Sequence, residues 1–242
     1  CGLYTPNHEK NTELARAFGI PFAAECEDDL IFSPDIDVID ICTPNVYHYE
    51  TLKKAISAGK HIYCEKPLCI TAAQADEIAE KARTRGITGQ VVFNNRFLAP
   101  VLRMKELIDS GKLGKLYSFR SVYRHASCVD PHKPAGWKQL RDICGGGVLF
   151  DLGSHAIDLL TYLCGKFKEK DGVPILTGRS QIAHSLRAGP DGSPWRTDAD
   201  EAFYAIGELK NGAVGTIEAN KLATGENDGL TIELYGERGA LK

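Results

Sequence analysis

The chain has 242 residues, of which 43% are hydrophobic and 25% charged, and its formal net charge is −3. This composition is typical of a globular protein and excludes an intrinsically disordered chain. The acidic balance argues against nucleic acid or an anionic membrane as the main partner. No apolar run approaches the roughly 18 residues that are needed to cross a bilayer.

The N-terminus and the cysteines bear on where the protein works. The chain begins with Cys1 and its only methionine is Met104, so we expect the true start of the protein to lie upstream. No signal peptide is visible in the sequence. The eight cysteines form no CxxC pair and lack zinc-finger spacing. Two of them, Cys42 and Cys64, lie in apolar strand-like runs. We therefore expect buried thiols in a reducing, cytoplasmic environment.

The first part of the chain, to about residue 95, alternates between helical and strand patterns. A first helix, with Leu14, Ala15 and Phe18 on one face, ends at Gly19. A capping box at Thr71 and Gln74 opens another helix, whose predicted buried face is formed by Ala72, Ala75, Ile78, Ala79 and Ala82. Strands are predicted at 35–42, 61–64 and 90–93, and a further helix at 46–58. Repeated strand–helix–strand units predict a parallel sheet.

Parallel sheets bind ligands beyond the carboxyl ends of their strands. Three polar segments directly follow the predicted strands: 43–45, 65–67 and 94–96. Lys66 is the sharpest candidate, because a lysine there could donate a proton or hydrogen bond to a substrate oxygen or hold a phosphate. The alternative is an ordinary surface lysine at a strand end.

The pattern changes after Arg96. A helix around 101–108 ends near Gly111, and long strands are predicted at 116–125, 201–206, 214–219 and 230–235. Asn211-Gly212 is a strong hairpin turn signal between two of them. In the region 166–200 only one strand is predicted, near Ile182. We predict a partial Rossmann domain at 1–96, followed by an α+β domain with a large, mostly antiparallel sheet at 97–242.

One helical segment combines acidic and basic residues. Read as a helix, 151–162 carries Asp151, His155, Asp158 and Tyr162 on one stripe, beside an apolar stripe. A carboxylate one turn from an imidazole can orient it and stabilise its charged form, which suits a general base. The alternative is a solvated helix edge. No third ligand suggests a metal site, and the glycines at 145–147 indicate close packing rather than a phosphate cradle.

These residues together resemble successive motifs of one family. Cys42-Thr43-Pro44-Asn45, Cys64-Glu65-Lys66-Pro67-Leu68, Phe93-Asn94-Asn95-Arg96-Phe97 and the run from Gly145 to Asp158 are similar to the signatures of the Gfo/Idh/MocA oxidoreductases. The resemblance extends from Glu9 to Leu241. It implies a Rossmann domain and an α/β domain built on a large, mostly antiparallel sheet.

The resemblance also implies an NAD- or NADP-dependent dehydrogenase that transfers hydride between the nicotinamide and a hydroxyl-bearing carbon of a sugar, inositol or related polyol. It implies three catalytic residues: Lys66, Asp151 and His155. The cofactor-binding residues it implies are Thr5, Thr43, Pro44, Asn45, His48, Glu65, Lys66, Asn94 and Arg96. The substrate-binding residues it implies are Lys66, Tyr123, His125, Trp137, Asp151 and His155, with no metal.

The chain departs from the family pattern in two places. The Gly-x-Gly-x-x-Gly loop is absent and is expected upstream of Cys1, and the family's last elements are expected after Gly239, so the chain alone should be impaired. The position of the residue that often selects NAD aligns near Tyr4 or Thr5, which leaves NADP open.

Two other functions stay open: an NAD-dependent glycoside hydrolase of related fold, and a non-catalytic cofactor- or sugar-binding regulator. The presence of both Lys66 and His155 favours catalysis. We expect no nucleic acid or membrane partner. Because an open antiparallel sheet often pairs with its own copy, we expect a homodimer or homotetramer.

Overall fold

The computed structural model describes residues 1–189 and 191–242. The chain divides into two compact units, Cys1–Val92 and Phe93–Lys242. This division falls four residues before the boundary predicted after residue 96, which stays a prediction.

The first unit alternates strands and helices. Its strands are β1 (Gly2–Leu3), β2 (Phe22–Ala23), β3 (Val38–Ile41), β4 (His61–Cys64) and β5 (Gly89–Val91). Its helices are α1 (His8–Phe18), α2 (Glu27–Ile31), α3 (Asn45–Ser57) and α4 (Ala72–Thr84). β1 pairs with β2, and β4 lies between β3 and β5; all of these pairings are parallel.

The core of the first unit lies between the three-stranded sheet and its helices, where Ile41 and Ile62 pack with Leu52 and Ile56 of α3. Two predicted helix faces are partly wrong. Phe18 is 76% exposed, and in α1 the buried side chains are those of Asn11 and Ala15.

In α4 the predicted face is also partly wrong, because Ile78 is buried whereas Ala72 and Ala79 are exposed. The Thr71 hydroxyl accepts the Gln74 amide at 3.2 Å, as the capping box requires. The Gln74 Oε1 atom has no hydrogen-bond partner in the described part of the chain, so only half of the box forms.

The second unit is built on one large sheet. Its helices are α5 (Ala99–Asp109), α6 (Arg141–Cys144) and α7 (Ser154–Cys164), with 3-10 turns at Asn94–Phe97 and Trp137–Gln139 and a π-helical turn at Leu149–Gly153. Its strands are β6 (Leu116–Arg124), β7 (Glu169–Lys170), β8 (Val173–Pro174), β9 (Leu176–Gln181), β10 (Leu186–Ala188), β11 (Pro194–Arg196), β12 (Ala202–Glu208), β13 (Val214–Asn220), β14 (Gly229–Gly236) and β15 (Gly239–Leu241).

The six-stranded sheet has the order β15-β14-β6-β13-β12-β9. Only β6 and β13 run parallel, and the other four neighbouring pairs are antiparallel. The hairpin between β12 and β13 turns at Gly212, whose φ of 87° suits glycine. The predicted fold class, a parallel sheet followed by a larger, mostly antiparallel one, is confirmed.

One face of this sheet is covered by α7. Ala156, Leu159, Leu160 and Leu163 form a buried cluster with sheet residues such as Ile217. The segment Arg141–Cys164 is long and apolar enough to cross a membrane by length and composition alone, but 61% of the tested window is buried. A buried core helix passes the same test, so this is weak evidence for a membrane span.

The cysteines follow the expected pattern only in part. Cys64, Cys69, Cys128 and Cys144 are buried, whereas Cys42, which directly follows β3, is exposed. Burial raises the pKa of Cys69 to about 11 and that of Cys164 to about 12, so both thiols stay protonated near neutral pH.

A buried ion pair organises the loop that follows β6. The guanidinium of Arg187 and the carboxylate of Glu201 approach to 2.9 Å, with side chains only 2% and 3% exposed. Arg187 also donates to the carbonyl oxygens of Cys128 and Asp130, and Glu201 accepts the amide of Ala183. These contacts connect the loop to β10 and to the start of β12.

Replacing Arg187 with methionine should lower the free energy of unfolding by about 3–5 kcal/mol, because the Glu201 charge loses its partner inside the protein. Urea denaturation measures this change. Lys168→Met is the matched control: its pair with Glu208 is exposed, and we expect a change within about 1 kcal/mol. Equal stabilities of the two variants would contradict the structural role of Arg187.

Candidate functional site

The carboxyl ends of the parallel strands in the first unit are aligned. Ile41 pairs with Cys64, and Cys64 pairs with Val91, so the chain leaves all three strands at the same edge of the sheet. The predicted segments 43–45 and 65–67 therefore start side by side at this edge. The third segment, 94–96, belongs to the second unit and is described there.

His48 connects the two segments of the first unit. It lies in α3, is fully buried, and places Nε2 at 2.9 Å from the Thr43 carbonyl oxygen and Nδ1 at 2.9 Å from the Pro67 carbonyl oxygen. Because both partners are acceptors, both contacts are hydrogen bonds only when both ring nitrogens carry protons. His48 thus acts as a cross-brace between the two segments.

The cofactor contact predicted for His48 stays a prediction. Its side chain has no exposed surface in this structure, and both ring nitrogens are used within the protein. The cross-brace is a positioning role that the motif alone does not reveal, because it depends on the path of the chain after β4.

The other predicted residues of this edge differ in exposure. Thr43 is exposed, Pro44 precedes α3 as its cap, and Asn45 is the buried first residue of the helix. Glu65 and Lys66 are half-buried, and a Glu65 carboxylate oxygen accepts the Lys66 amide at 3.2 Å. Within the segment 65–67, the Lys66 amide is bonded to Glu65 and the Pro67 carbonyl oxygen contacts His48.

Thr5 follows β1 and is held by a residue that the sequence analysis did not identify. The buried Asn11 accepts the Thr5 amide at 2.7 Å and donates to the Thr5 carbonyl oxygen at 2.8 Å. It also donates to the carbonyl oxygen of Ala24, beyond β2. Asn11 therefore fixes the loops after both strands.

In the second unit, Arg96 is committed to an acidic partner on α7. Its Nε atom donates to Asp158 Oδ2 at 2.8 Å, and a second guanidinium nitrogen bonds the other carboxylate oxygen. The guanidinium also lies over the rings of Phe93 and Tyr162, at 5.6 and 5.1 Å from their centroids. The cofactor contact predicted for Arg96 and for exposed Asn94 stays a prediction.

The helical segment that carries Asp151 and His155 begins at a contact with Asp200. Its carboxylate accepts the amides of Gly147 and Leu149, and its carbonyl oxygen accepts the amide of Val148 at 2.7 Å. A Cβ atom at position 147 would lie 2.0 Å from the Asp200 carbonyl oxygen. The interpretation of the glycine run as close packing is therefore confirmed at Gly147.

Asp151 lies on the π-helical turn that follows this contact, and His155 lies at the start of α7. His155 is 9% exposed, and its ring meets those of Phe93 and Tyr123 edge-on, with centroids 6.0 and 6.1 Å away. Asp158 is 8% exposed. The alternative interpretation, a solvated helix edge, is wrong because this stripe faces the interior.

Two lysines contact the Asp151 carboxylate. Lys221 Nζ lies 2.7 Å from Oδ2, and Lys138 Nζ lies 2.9 Å from Oδ1. Lys221 is buried, whereas Lys138 is exposed and also lies over the ring of the predicted residue Trp137, 5.6 Å from its centroid. Neither lysine was identified from the sequence.

The position of Lys221 follows from strand pairing. β6 ends at Arg124 and β13 ends at Asn220, and these two residues are paired in the parallel ladder. His125 and Lys221 therefore leave the sheet side by side. A lysine directly after a strand was the signal that singled out Lys66, but the pairing of β6 with β13 could not be read from the sequence.

His125 and Tyr123 are both uncharged near neutral pH. Burial, helped by the Lys221 charge, lowers the pKa of His125, and the Ser127 amide donates to its Nδ1 atom at 3.2 Å. Burial and a hydrogen bond to the Asp228 carboxylate raise the pKa of Tyr123 to about 12. Both side chains are therefore neutral polar groups at this end of the sheet.

No group of three or more histidine, cysteine, aspartate or glutamate side chains in residues 1–189 and 191–242 is placed to hold a metal ion. Acid and base groups are instead gathered at one end of the large sheet and on the turn at 149–155.

Replacing His48 with alanine should increase amide hydrogen exchange in segments 43–45 and 65–67, because two carbonyl oxygens lose their shared donor. Hydrogen–deuterium exchange followed by mass spectrometry measures this effect. His8→Ala, on the exposed side of α1, is the control and should leave both segments unchanged. Unchanged exchange in His48→Ala would show that the segments do not depend on the cross-brace.

Comparisons with known proteins agree with this architecture. The family model described as "Oxidoreductase family, NAD-binding Rossmann fold" matches residues 1–93, and the model of the GFO/IDH/MocA C-terminal domain matches residues 101–242. The expectation of a nicotinamide dinucleotide, NAD or NADP, is thereby confirmed for the family, whose model is described as NAD-binding.

Similar proteins include dehydrogenases. Levoglucosan dehydrogenase of Pseudarthrobacter phenanthrenivorans is 34% identical over 97% of this chain and 62% of its own length. Myo-inositol 2-dehydrogenase of Thermotoga maritima is 26% identical over 95% of this chain and 63% of its own. The structure of a levoglucosan dehydrogenase in complex with NADH and levoglucosan superposes with a TM-score of 0.90 at 33% identity, covering 98% of this chain and 62% of the other.

The chain thus spans a little under two thirds of the length of these relatives. Both of its units are matched by the family models, in the order that the family has them. The chain belongs to the Gfo/Idh/MocA family of oxidoreductases.

Proposed function

We propose that the protein is an NAD- or NADP-dependent dehydrogenase that oxidises a hydroxyl-bearing carbon of a sugar, inositol or related polyol. The observation that carries this proposal is the stripe of half-buried Asp151 and buried His155 and Asp158 in a chain of this family. Relatives whose names specify levoglucosan and myo-inositol point to the same substrate class.

Two features of the first unit support binding of a dinucleotide. Its strand ends share one edge, and the polar segments there are fixed by His48 and by Asn11. Thr43, Pro44, Asn45 and Glu65 would hold the cofactor, with Thr5 beside β1. When bound, the nicotinamide supplies the hydride-accepting carbon of the reaction.

The protein's own groups would handle the proton and the charge. His155 would accept the proton of the substrate hydroxyl at a ring nitrogen, since histidine exchanges protons near neutral pH. Lys66 would stabilise the oxygen that develops negative charge. Asp151 would accept a hydrogen bond from the substrate or orient His155, with Tyr123, His125 and Trp137 as further substrate contacts.

A panel of sugars, anhydrosugars and polyols, assayed with NAD and with NADP on the full gene product, tests the proposal. We expect steady accumulation of reduced cofactor with at least one member, and a loss of turnover of more than about 100-fold in Lys66→Ala. Lys81→Ala, an exposed lysine of α4, is the matched control and should keep full turnover.

Other outcomes of the panel would point elsewhere. Hydrolysis of a glycoside without net cofactor reduction would identify a glycoside hydrolase. Ligand binding without any turnover would identify a non-catalytic regulator. Full turnover in Lys66→Ala would remove that residue from the mechanism.

His155→Ala should flatten the pH dependence of kcat/KM for alcohol oxidation, because the rise with pH reports loss of the proton from the base. The profile is measured from pH 5 to 10, with His8→Ala as a control that should keep the wild-type shape. A wild-type profile in His155→Ala would exclude it as the base.

The proposal extends to the setting of the enzyme. The sheet face opposite α7 exposes Tyr204, Ile206 and Tyr235 among cross-strand ion pairs such as Arg120–Glu233, which suits pairing with a second copy in a homodimer or homotetramer. Buried, protonated cysteines suit a reducing cytoplasm. A net charge of −3 supports neither nucleic acid nor a membrane surface as a partner.

A further inference from the structure

A buried ammonium group lies in the second unit where the resemblance supplied no residue. The Lys221 side chain is 5% exposed. Its backbone is fixed from two sides, since its amide donates to the Glu201 carbonyl oxygen at 2.8 Å and its own carbonyl oxygen accepts the Cys128 amide at 2.9 Å. The side chain therefore starts from a rigid point.

The two lysines on Asp151 differ in their surroundings. The Lys221–Asp151 pair is largely removed from water, with side chains 5% and 16% exposed, whereas the Lys138 side chain is 46% exposed. Water and salt screen the exposed contact, and desolvation strengthens the buried one. The contact of Lys221 with Asp151 is therefore the less screened of the two.

Several other ionisable groups face this pair. They are His125, Tyr123, Asp228 and Lys138. The Lys221 charge contributes to lowering the pKa of His125. A single buried charge thus acts on Asp151 and on a neighbouring substrate-side histidine.

A gain in stability does not by itself account for this arrangement. Buried ion pairs add little net stability compared with apolar residues of the same volume, because both charges lose their hydration. Asp151, the acidic member of this pair, also lies on a π-helical turn, a feature that is frequent at functional sites.

We infer that Lys221 is a positioning residue of the substrate site, which holds the Asp151 carboxylate charged and in one orientation as a hydrogen-bond acceptor. This role rests on the proposed dehydrogenase function. Each carboxylate oxygen that binds one lysine keeps lone-pair capacity for a further donor, such as a substrate hydroxyl.

The test is a double-mutant cycle in the full gene product, with Lys221→Met, Asp151→Asn and the double variant. On the best substrate of the panel, Lys221→Met should lower kcat/KM by about 100-fold, because the acceptor is no longer held in place. In the Asp151→Asn background the same change should cost less than about 3-fold, since Lys221 acts through Asp151. Equal losses in both backgrounds would overturn the role.

Two further variants separate charge from structure. Lys221→Arg keeps the cation and should retain at least about 10-fold more activity than Lys221→Met. Lys138→Met removes the exposed partner of the same carboxylate and should cost less than Lys221→Met. A loss in Lys138→Met that equals or exceeds the loss in Lys221→Met would overturn the assignment to Lys221.

Thermal unfolding of wild type, Lys221→Met, Asp151→Asn and the double variant gives a readout that is independent of activity. Lys221→Met should lower Tm, and adding Asp151→Asn should restore part of it, because the stranded carboxylate is removed. Additive effects of the two substitutions on Tm would contradict a direct interaction between Lys221 and Asp151. If Lys221→Met does not fold, two comparisons still test the role of Lys221. Asp151→Asn is compared with the double variant, and wild type is compared with Lys221→Arg.

The failure of this inference can be told apart from failure of the proposed function. A wild-type protein that oxidises no member of the panel overturns the function, and this role with it. An active wild type whose Lys221→Met variant keeps kcat/KM within about 3-fold overturns the role of Lys221 alone.

Discussion

The contact between the backbones of Gly147 and Asp200 is the constraint on which the second unit's chemistry depends. A helix that begins inside a protein leaves amides without partners, and here one aspartate satisfies three consecutive ones. The contact requires the absence of a side chain at position 147, where a Cβ atom would overlap the Asp200 carbonyl oxygen. It fixes the rotation of the helix, and therefore the directions of Asp151 and His155.

Buried polar side chains play the same part elsewhere in the molecule. Asn11, His48 and Arg187 each bond to backbone groups of segments that are neither helix nor strand. Such segments cannot satisfy their own hydrogen bonds, and each polar side chain supplies the missing partner. Irregular chain at the edges of the sheets is thereby held by side-chain hydrogen bonds.

Local patterns were enough to predict much of the fold. The strand at 61–64 was predicted with its observed bounds, because an apolar run is delimited there by Gly59 and by the polar segment at 65–67. The amphipathic stripe of α7 predicted its buried face correctly. Phe18 and Ala79 were misplaced because spacing predicts which side chains share a face, but not whether another element covers that face.

The candidate site was predictable only where it lies within short motifs. Asp151 and His155 were found because they are one turn apart on a single helix, whereas Lys221 contacts Asp151 across 70 residues of sequence through the pairing of β6 with β13. The bridge that His48 makes to Pro67 was not predicted for a similar reason, since Pro67 belongs to another segment. Register between distant strands is a property of the folded chain and leaves little trace in local spacing.

The hydrogen bond from the Ser127 amide to His125 has a consequence for how a ligand is held. With Nδ1 occupied as an acceptor, the neutral ring is confined to the tautomer that carries its proton on Nε2. A hydroxyl oxygen and a carbonyl oxygen can both accept from that proton. A contact from His125 to the reacting oxygen could therefore form both before and after oxidation, without a change in the protonation of the ring.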